Sequence, residues 1–209
     1  MLSFDDWKDA HLLGNYPKKE VNIFEIPDII LKKFKINKDR YYFKNRQLEL
    51  KHILDAYHWK IFFNPTFTAE LGCGLGPRIA AMRILGMNCE GIEISEWAVN
   101  HAITPIKQGD ITQTIEFTQK PDLIIAYDVL EHIEYDKLDF VIWSIYNSAN
   151  KWILISIPAK GDKNLYADPT HKIFEDKAWW KNKFLEKGLK EIEIPNYLLF
   201  RDQLLIFEK

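Results

Sequence analysis

The sequence is poor in the features that mark secreted, membrane-bound or strongly charged proteins. Its two cysteines, Cys73 and Cys89, are too few for a disulfide framework, and they lack the CxxC or Cys/His spacing of a zinc site. No apolar run approaches the roughly 18 residues of a membrane span, and the first residues are acidic where a signal peptide is basic. We therefore expect a cytoplasmic protein without membrane contact.

The chain also lacks a large excess of charge of either sign. The chain has 28 basic and 30 acidic residues, a formal net charge of −2, so composition favours neither a nucleic acid nor an anionic membrane as partner. With 47% hydrophobic residues among 209, it can bury one sizeable core. Composition does not indicate an oligomeric state.

A change of pattern divides the chain near residue 66. Residues 1–66 are rich in aromatic and basic side chains, whereas from residue 67 short apolar runs that end in an acidic residue alternate with helical segments. That alternation is typical of βαβ units and a parallel sheet. The expected strands are 68–71, 89–93, a short element before Gly109, 123–127, 152–157, and a terminal antiparallel pair at 192–194 and 204–207.

A glycine-rich bend follows the first expected strand. In Glu70-Leu71-Gly72-Cys73-Gly74-Leu75-Gly76 the chain leaves a strand, turns on glycines and enters a helix, so that bare backbone can approach a ligand. The amides at the start of that helix favour an anionic group such as a carboxylate. Dinucleotide-binding folds require another glycine where this chain has Pro77, which argues against a nicotinamide enzyme. Cys73 fits there as a small packing residue.

Two further acidic residues stand at successive strand ends. Glu93 comes 23 residues after Glu70, where a carboxylate can accept hydrogen bonds from both hydroxyls of a ribose. Asp110 can accept a hydrogen bond from an adenine amino group, and the Ile111 backbone amide can donate one to the adenine ring. Together these features indicate an adenosine site without a phosphate site.

These motifs, with the segment 122–132, resemble the class I S-adenosylmethionine-dependent methyltransferases from about residue 67 onward. The resemblance implies a Rossmann-like three-layer sandwich whose mostly parallel seven-stranded sheet has an antiparallel last strand, with S-adenosylmethionine as cofactor. It also implies that residues 1–66 form a lid over the acceptor and residues 67–209 the cofactor-binding domain. The expected cofactor-binding residues are Glu70, Gly72, Gly74, Gly76, Glu93, Ile94, Asp110, Ile111, Tyr127 and Asp128.

The acceptor side is harder to interpret, because methyl transfer needs little beyond alignment of a nucleophile and removal of its proton. His132 and His171 are the candidate catalytic residues, although His171 can equally serve to pin its loop. We interpret Asp128 and Glu131 as a capping box at a helix start. The alternative is a metal site, since Asp128-x-x-Glu131-His132 is similar to a Glu-x-x-Glu-His that binds a divalent metal in some quinone-pathway O-methyltransferases; we do not assign one.

A small-molecule acceptor, methylated on oxygen or nitrogen, is the main expectation. Seven basic residues between Lys32 and Arg46, interleaved with aromatic ones, leave an RNA acceptor as an alternative, although a solvated helical face explains them better. The strand end Tyr127-Asp128-Val129-Leu130 lacks the Asn/Asp-Pro-Pro-Tyr of base-amino methyltransferases, and the sequence has no Pro-Cys nucleophile for carbon-5 methylation. Both routes of base methylation are therefore disfavoured, and methylation of an RNA ribose or cap stays the alternative. A non-catalytic S-adenosylmethionine-binding protein is also compatible with these motifs.

Overall fold

The computed structural model describes residue 43, residues 47–193 and residues 203–209. All of them belong to one compact unit, residues 42–209. The basic segment 32–46 lies outside the described residues except for Phe43. Among the described residues, every helix is too short or too polar to cross a bilayer.

Strands and helices alternate along most of the described chain. In order they are α1 (Leu50–Phe63), β1 (Thr68–Leu71), α2 (Pro77–Ile84), β2 (Cys89–Glu93), α3 (Glu96–Asn100), β3 (Lys107–Gln108), β4 (Leu123–Tyr127), a 3₁₀ turn (Leu130–His132), α4 (Tyr135–Ser148), β5 (Trp152–Ser156), α5 (Lys163–Ala167), α6 (Lys177–Leu185), β6 (Lys190–Glu191) and β7 (Leu204–Glu208).

The described strands form one seven-stranded sheet in the order β3-β2-β1-β4-β5-β7-β6. Strands β1 to β5 pair in parallel, and β7 runs antiparallel to both of its neighbours. The expected Rossmann-like sandwich with an antiparallel last strand is therefore confirmed. The chain order reverses at β1, between β2 and β4, and parallel sheets bind their ligands at the carboxyl ends of such strands.

Two apolar clusters cover the two faces of the sheet. One packs α4 and α6 against residues such as Ile124, Ile153 and Phe207, and the other packs α1 and α2 against the alternate residues, such as Ile125 and Leu154. Alternation arises because successive side chains of a strand point to opposite faces. Since both faces are covered, β4 and all but the last residue of β5 are apolar and show no polar alternation, whereas β1 and β2 also bury glutamates.

Local signals set the helix ends close to where the sequence predicts them. Pro77 is the first residue of α2, and the Ser95 hydroxyl accepts a hydrogen bond from the Ala98 amide at the start of α3. Gly86 and Gly188 follow α2 and α6 with φ values of 72° and 86°, a conformation that side chains disfavour. Pro77 and Ser95 begin the helices that follow β1 and β2 at the carboxyl edge of the sheet, whereas Gly86 precedes the start of β2.

The terminal pair differs from the expectation by two residues. The strand expected at 192–194 is β6 at Lys190–Glu191, although the Ile192 amide still donates to the Ile206 carbonyl. Ile194 lies outside the described residues. The other member of the pair, β7, falls where the sequence predicts it.

Candidate functional site

The glycine bend between β1 and α2 has the backbone conformation that its sequence requires. Gly72, Gly74 and Gly76 have φ values of 61°, 57° and 74°, in the region that side chains rarely adopt. A Cβ on Gly72 would also stand 2.4 Å from Val129 Cγ2, so the bend packs closely against the chain that leaves β4. The bend therefore depends on glycine for its conformation and for its packing.

Cys73 is a packing residue of this bend. It is buried, and a Cβ on Gly91 of β2 would stand 2.6 Å from its Sγ, so the thiol fills the space above that glycine. Burial raises the pKa of the Cys73 thiol well above its ordinary value. A thiol kept protonated in this way is a poor nucleophile, as expected from its place in the sequence.

Glu93 faces the bend. Its Oε2 accepts a hydrogen bond of 2.8 Å from the Gly74 amide and its Oε1 one of 2.9 Å from the Ser95 amide. The side chain is buried at the end of β2, so these two bonds fix its direction. Each carboxylate oxygen has a second lone pair, and a diol beside the bend can use both.

The neighbouring strand end carries Asp110 and Ile111. Asp110 Oδ1 accepts from the amide and the hydroxyl of Thr112, each at 2.8 Å, which holds the carboxylate in a tight turn. Ile111 is buried in the core beneath it, whereas Ile94, which follows Glu93, is 62% exposed. The Gly109 amide donates to the Glu93 carbonyl at 2.9 Å, so the two predicted adenosine-binding segments are joined by backbone.

A buried charged group lies beneath the bend, and sequence analysis found only part of it. Arg78 Nη1 is 3.7 Å from Glu70 Oε1, its Nε is 3.6 Å from Asp55 Oδ2, and the guanidinium lies 3.6 Å above the Tyr127 ring. Burial raises the pKa of Glu70 to about 7, although Arg78 acts to lower it. Asp55 comes from α1, so a carboxylate of residues 47–66 contributes to this group.

Asp128 does not cap a helix, and the capping-box interpretation is wrong. Asp128 has a φ of 56°, its amide donates to the Ser156 carbonyl, and its Oδ1 accepts from the Ser156 hydroxyl at 2.9 Å. It therefore joins the carboxyl ends of β4 and β5. Glu131, the supposed partner, is fully buried and belongs to the 3₁₀ turn instead.

The two candidate catalytic histidines are neighbours. The His132 and His171 rings have centroids 4.7 Å apart, and His171 Nε2 lies 3.8 Å from Glu131 Oε1. The amides of Lys172 and Ile173 donate to the Glu131 carbonyl at 2.7 and 3.1 Å, which holds the loop after β5 against the turn after β4. His171 Nδ1 lies 2.8 Å from the Leu165 carbonyl, a contact that pins the loop.

Asp168 and Thr170 complete this group. Thr170 Oγ1 is 2.5 Å from Asp168 Oδ1 and 3.0 Å from His132 Nδ1. Burial alone would raise the pKa of Asp168, but the hydrogen bonds from Thr170 outweigh it and hold that pKa below its ordinary value. An ionised carboxylate thus supports His132 through a hydroxyl.

A mostly parallel sheet whose strand order reverses at β1, with a glycine bend and the buried Glu93 carboxylate at its carboxyl edge, fits the expected class I S-adenosylmethionine-dependent fold. A family model described as a methyltransferase domain matches residues 42–187. The chain therefore belongs to the class I S-adenosylmethionine-dependent methyltransferases, and it is an enzyme that uses S-adenosylmethionine.

Solved structures share the fold at low sequence identity. An S-adenosylmethionine-dependent methyltransferase from Archaeoglobus fulgidus is 15% identical with a TM-score of 0.60, over 90% of this chain and 100% of that one. One from Clostridium acetobutylicum is 13% identical with a TM-score of 0.61, over 86% and 98%. Magnesium protoporphyrin IX methyltransferase from Synechocystis, solved with bound S-adenosylmethionine, is 16% identical with a TM-score of 0.58, over 99% and 90%. No curated protein matches the sequence.

Proposed function

We propose that the enzyme methylates an oxygen or nitrogen atom of a small molecule bound at the carboxyl ends of β4 and β5. The observation that carries this proposal is the polar cluster there, in which Glu131, His132 and His171 meet beside the segment that follows Tyr127. Such groups suit a nucleophile that must lose or redirect a proton. The carboxylates of Asp128 and Asp168 at the same edge disfavour a polyanionic acceptor.

The cofactor fits the donors and acceptors at the bend. Bound S-adenosylmethionine supplies an activated methyl group. In our proposal Glu93 binds the ribose, Asp110 and the Ile111 amide bind the adenine between Ile94 and the end of β3, and Gly72 to Gly76 cradle the methionine end.

Arg78 and Glu70 extend this assignment. Among the described residues, Arg78 Nε and Glu70 Oε2 are buried without a hydrogen-bond partner, and such atoms are costly unless a ligand satisfies them. A zwitterionic methionine end offers a carboxylate for one and an ammonium for the other. We therefore place that end beside Arg78, Glu70 and the backbone of Asp128.

The role of residues 1–66 as a lid that selects the acceptor stays a proposal. Within that range, α1 packs against α2, and Phe43 lies against Gly74, where an added Cβ would stand 3.2 Å from its ring. Phe43 also stacks with Trp97 at 6.4 Å. An aromatic side chain of this segment thus covers the outside of the glycine bend.

The acceptor class can be tested with S-adenosylmethionine labelled in its methyl group and fractionated cell extract. We expect label in a low-molecular-weight fraction. The substitution His171→Ala should remove that label, and the control substitution His101→Ala, at an exposed histidine just after α3, should leave it. In His171→Ala we expect turnover to fall far more than cofactor affinity. Label in an RNA fraction would replace the small-molecule proposal by ribose or cap methylation, and saturable cofactor binding without transfer would indicate a binding protein.

A further inference from the structure

We infer that Asp55 is a positioning residue for S-adenosylmethionine, because it holds the Arg78 guanidinium where the carboxylate of the cofactor's methionine end can bind. The inference rests on the proposed function, since it takes up the placement of that end beside Arg78. Asp55 lies on α1, within the range 1–66 that is expected to form a lid over the acceptor. A helix of that range thus acquires a role in binding the cofactor.

Two carboxylates contact different nitrogens of the Arg78 guanidinium. Asp55 Oδ2 is 3.6 Å from Nε, and Glu70 Oε1 is 3.7 Å from Nη1. These are distances of ion pairs rather than of good hydrogen bonds, and within the part of the chain that the structure describes Nε has no hydrogen-bond acceptor. Because an arginine has several N–H donors, the two ion pairs can fix the group while a donor stays available to a ligand carboxylate.

The face of α1 that carries Asp55 also supports the ring beneath the guanidinium. The central carbon of the Arg78 guanidinium is 3.6 Å from the centroid of the Tyr127 ring, an attractive cation–π contact. Trp59 packs against that ring, with the two centroids 6.4 Å apart. Asp55 and Trp59 are four residues apart and therefore lie on one face of the helix. Helix α1 thus fixes the guanidinium directly through Asp55 and indirectly through Trp59 and Tyr127.

This charged group lies between the glycine bend and the end of β4. Arg78 is the second residue of α2, which follows the bend, and Tyr127 is the last residue of β4. Val129, two residues further on, stands where a Cβ on Gly72 would be, so the two segments adjoin. The proposed function places the methionine end here, and an arginine fixed in this position can bind a carboxylate through two parallel hydrogen bonds.

Burial makes the position of the Arg78 charge important. The exposed fractions of the side chains are 16% for Arg78, 10% for Asp55 and 2% for Glu70. Little water is present to screen these charges, so they act strongly on a ligand. Burial also raises the pKa of Glu70 to about 7, so Glu70 is only partly ionised near neutral pH. The carboxylate of Asp55 is therefore needed to hold the guanidinium in place.

His52 adds no competing positive charge. It lies on α1 one turn before Asp55, and burial, with the nearby charge of Arg78, lowers its pKa to about 4. Its Nδ1 accepts a hydrogen bond of 2.9 Å from the Glu49 amide at the start of the helix. His52 is therefore neutral near pH 7 and does not draw Asp55 away from Arg78 as a cation would.

The test compares the binding of two ligands to the full chain by calorimetry. S-adenosylhomocysteine carries the carboxylate and the ammonium of the methionine end, whereas 5′-methylthioadenosine keeps the adenosine and the sulfur and lacks both groups. In Asp55→Asn we expect the affinity for S-adenosylhomocysteine to fall about 10-fold, because a hydrogen bond between charged groups is weakened, and the affinity for 5′-methylthioadenosine to stay unchanged.

Two further variants serve as rescue and control. Asp55→Glu keeps the negative charge and should recover most of the lost affinity for S-adenosylhomocysteine. Asp136→Asn, at an exposed aspartate in the first turn of α4, should bind both ligands as the wild type does. An unchanged affinity for S-adenosylhomocysteine in Asp55→Asn would overturn the inference. An equal loss for both ligands would also overturn it, because the substitution would then act on the fold rather than on the methionine end.

Arg78→Gln separates the inference from the proposed function. If Asp55 acts through Arg78, adding Asp55→Asn to Arg78→Gln should cause no further loss of affinity for S-adenosylhomocysteine. If Arg78→Gln weakens binding of S-adenosylhomocysteine alone and Asp55→Asn does not, the role of Asp55 is refuted and the placement of the methionine end beside Arg78 stands. If Arg78→Gln binds both ligands as the wild type does, that placement is refuted as well.

Discussion

Glu70 should make the enzyme less stable as the pH rises from about 4.5 to 7. Burial raises the pKa of this carboxyl from 4.5 to about 7 in the folded chain. Below pH 4.5 Glu70 is protonated in the folded and the unfolded chain, and its contribution to stability is fully present. As the pH rises, the unfolded chain loses the proton first, so the free energy of unfolding falls until the folded group also ionises near pH 7.

The size of this effect follows from the two pKa values. The difference between 4.5 and about 7 corresponds to about 3 kcal/mol of unfolding free energy. Glu70→Gln cannot ionise, so the wild type should lose about 3 kcal/mol relative to this variant between pH 4.5 and pH 8. Subtracting the variant's free energy of unfolding from that of the wild type at each pH removes the contributions of histidines and other carboxylates that titrate in the same range.

The assay is urea unfolding without cofactor, followed by tryptophan fluorescence, at several pH values across that range. Glu134→Gln, at an exposed carboxylate, serves as the control and should follow the wild type at every pH. A difference between wild type and Glu70→Gln that stays constant with pH would refute the reasoning. It would mean that Arg78, 3.7 Å away, keeps Glu70 ionised in spite of its burial.

Two more predictions concern the bend. Glu93→Gln should weaken S-adenosylmethionine binding, measured by calorimetry, by roughly 10- to 100-fold, because hydrogen bonds to a charged acceptor contribute about 1.5–3 kcal/mol; an unchanged affinity would exclude Glu93 as the ribose-binding residue. Gly72→Ala should lower the free energy of unfolding by about 3 kcal/mol or more, because both the φ of Gly72 and its contact with Val129 oppose a side chain. The control Gly86→Ala, at a glycine with a similar φ and open space around it, should lower the free energy of unfolding by about 1 kcal/mol. Equal losses in the two variants would show that Val129 moves aside to make room for the added methyl group.

Sequence patterns predicted the sheet well because its signals are local. The apolar runs of β4 and β5, the proline of α2 and the Ser95 cap each depend on a few adjacent residues. The position of β6 differs from the predicted one by two residues, because Lys190 and Glu191 are exposed and show no apolar pattern. Short edge strands are set by their partner, here β7, more than by their own sequence.

The site was predicted less completely, because its groups come from separate parts of the chain. Asp128-x-x-Glu131 resembles a capping box locally, but the fold buries Glu131 and turns Asp128 toward Ser156, so tertiary contacts override the local motif. Arg78 and Asp55 carried no signal, since a single arginine and a single aspartate in amphipathic helices are ordinarily surface residues. His171 approaches Glu131 only because the loop after β5 returns to the turn after β4, and no local sequence pattern predicts that return.

The place of β7 has a consequence for synthesis in the cell. This strand follows every other described strand in sequence, yet it lies between β5 and β6. Until the ribosome has made Leu204–Glu208, β5 therefore presents an apolar edge with unpaired backbone groups, a surface prone to pair with other chains. A nascent chain of this enzyme should need protection by chaperones late in translation, and a stalled chain ending before residue 204 should aggregate even though the glycine bend and Glu93 are already present.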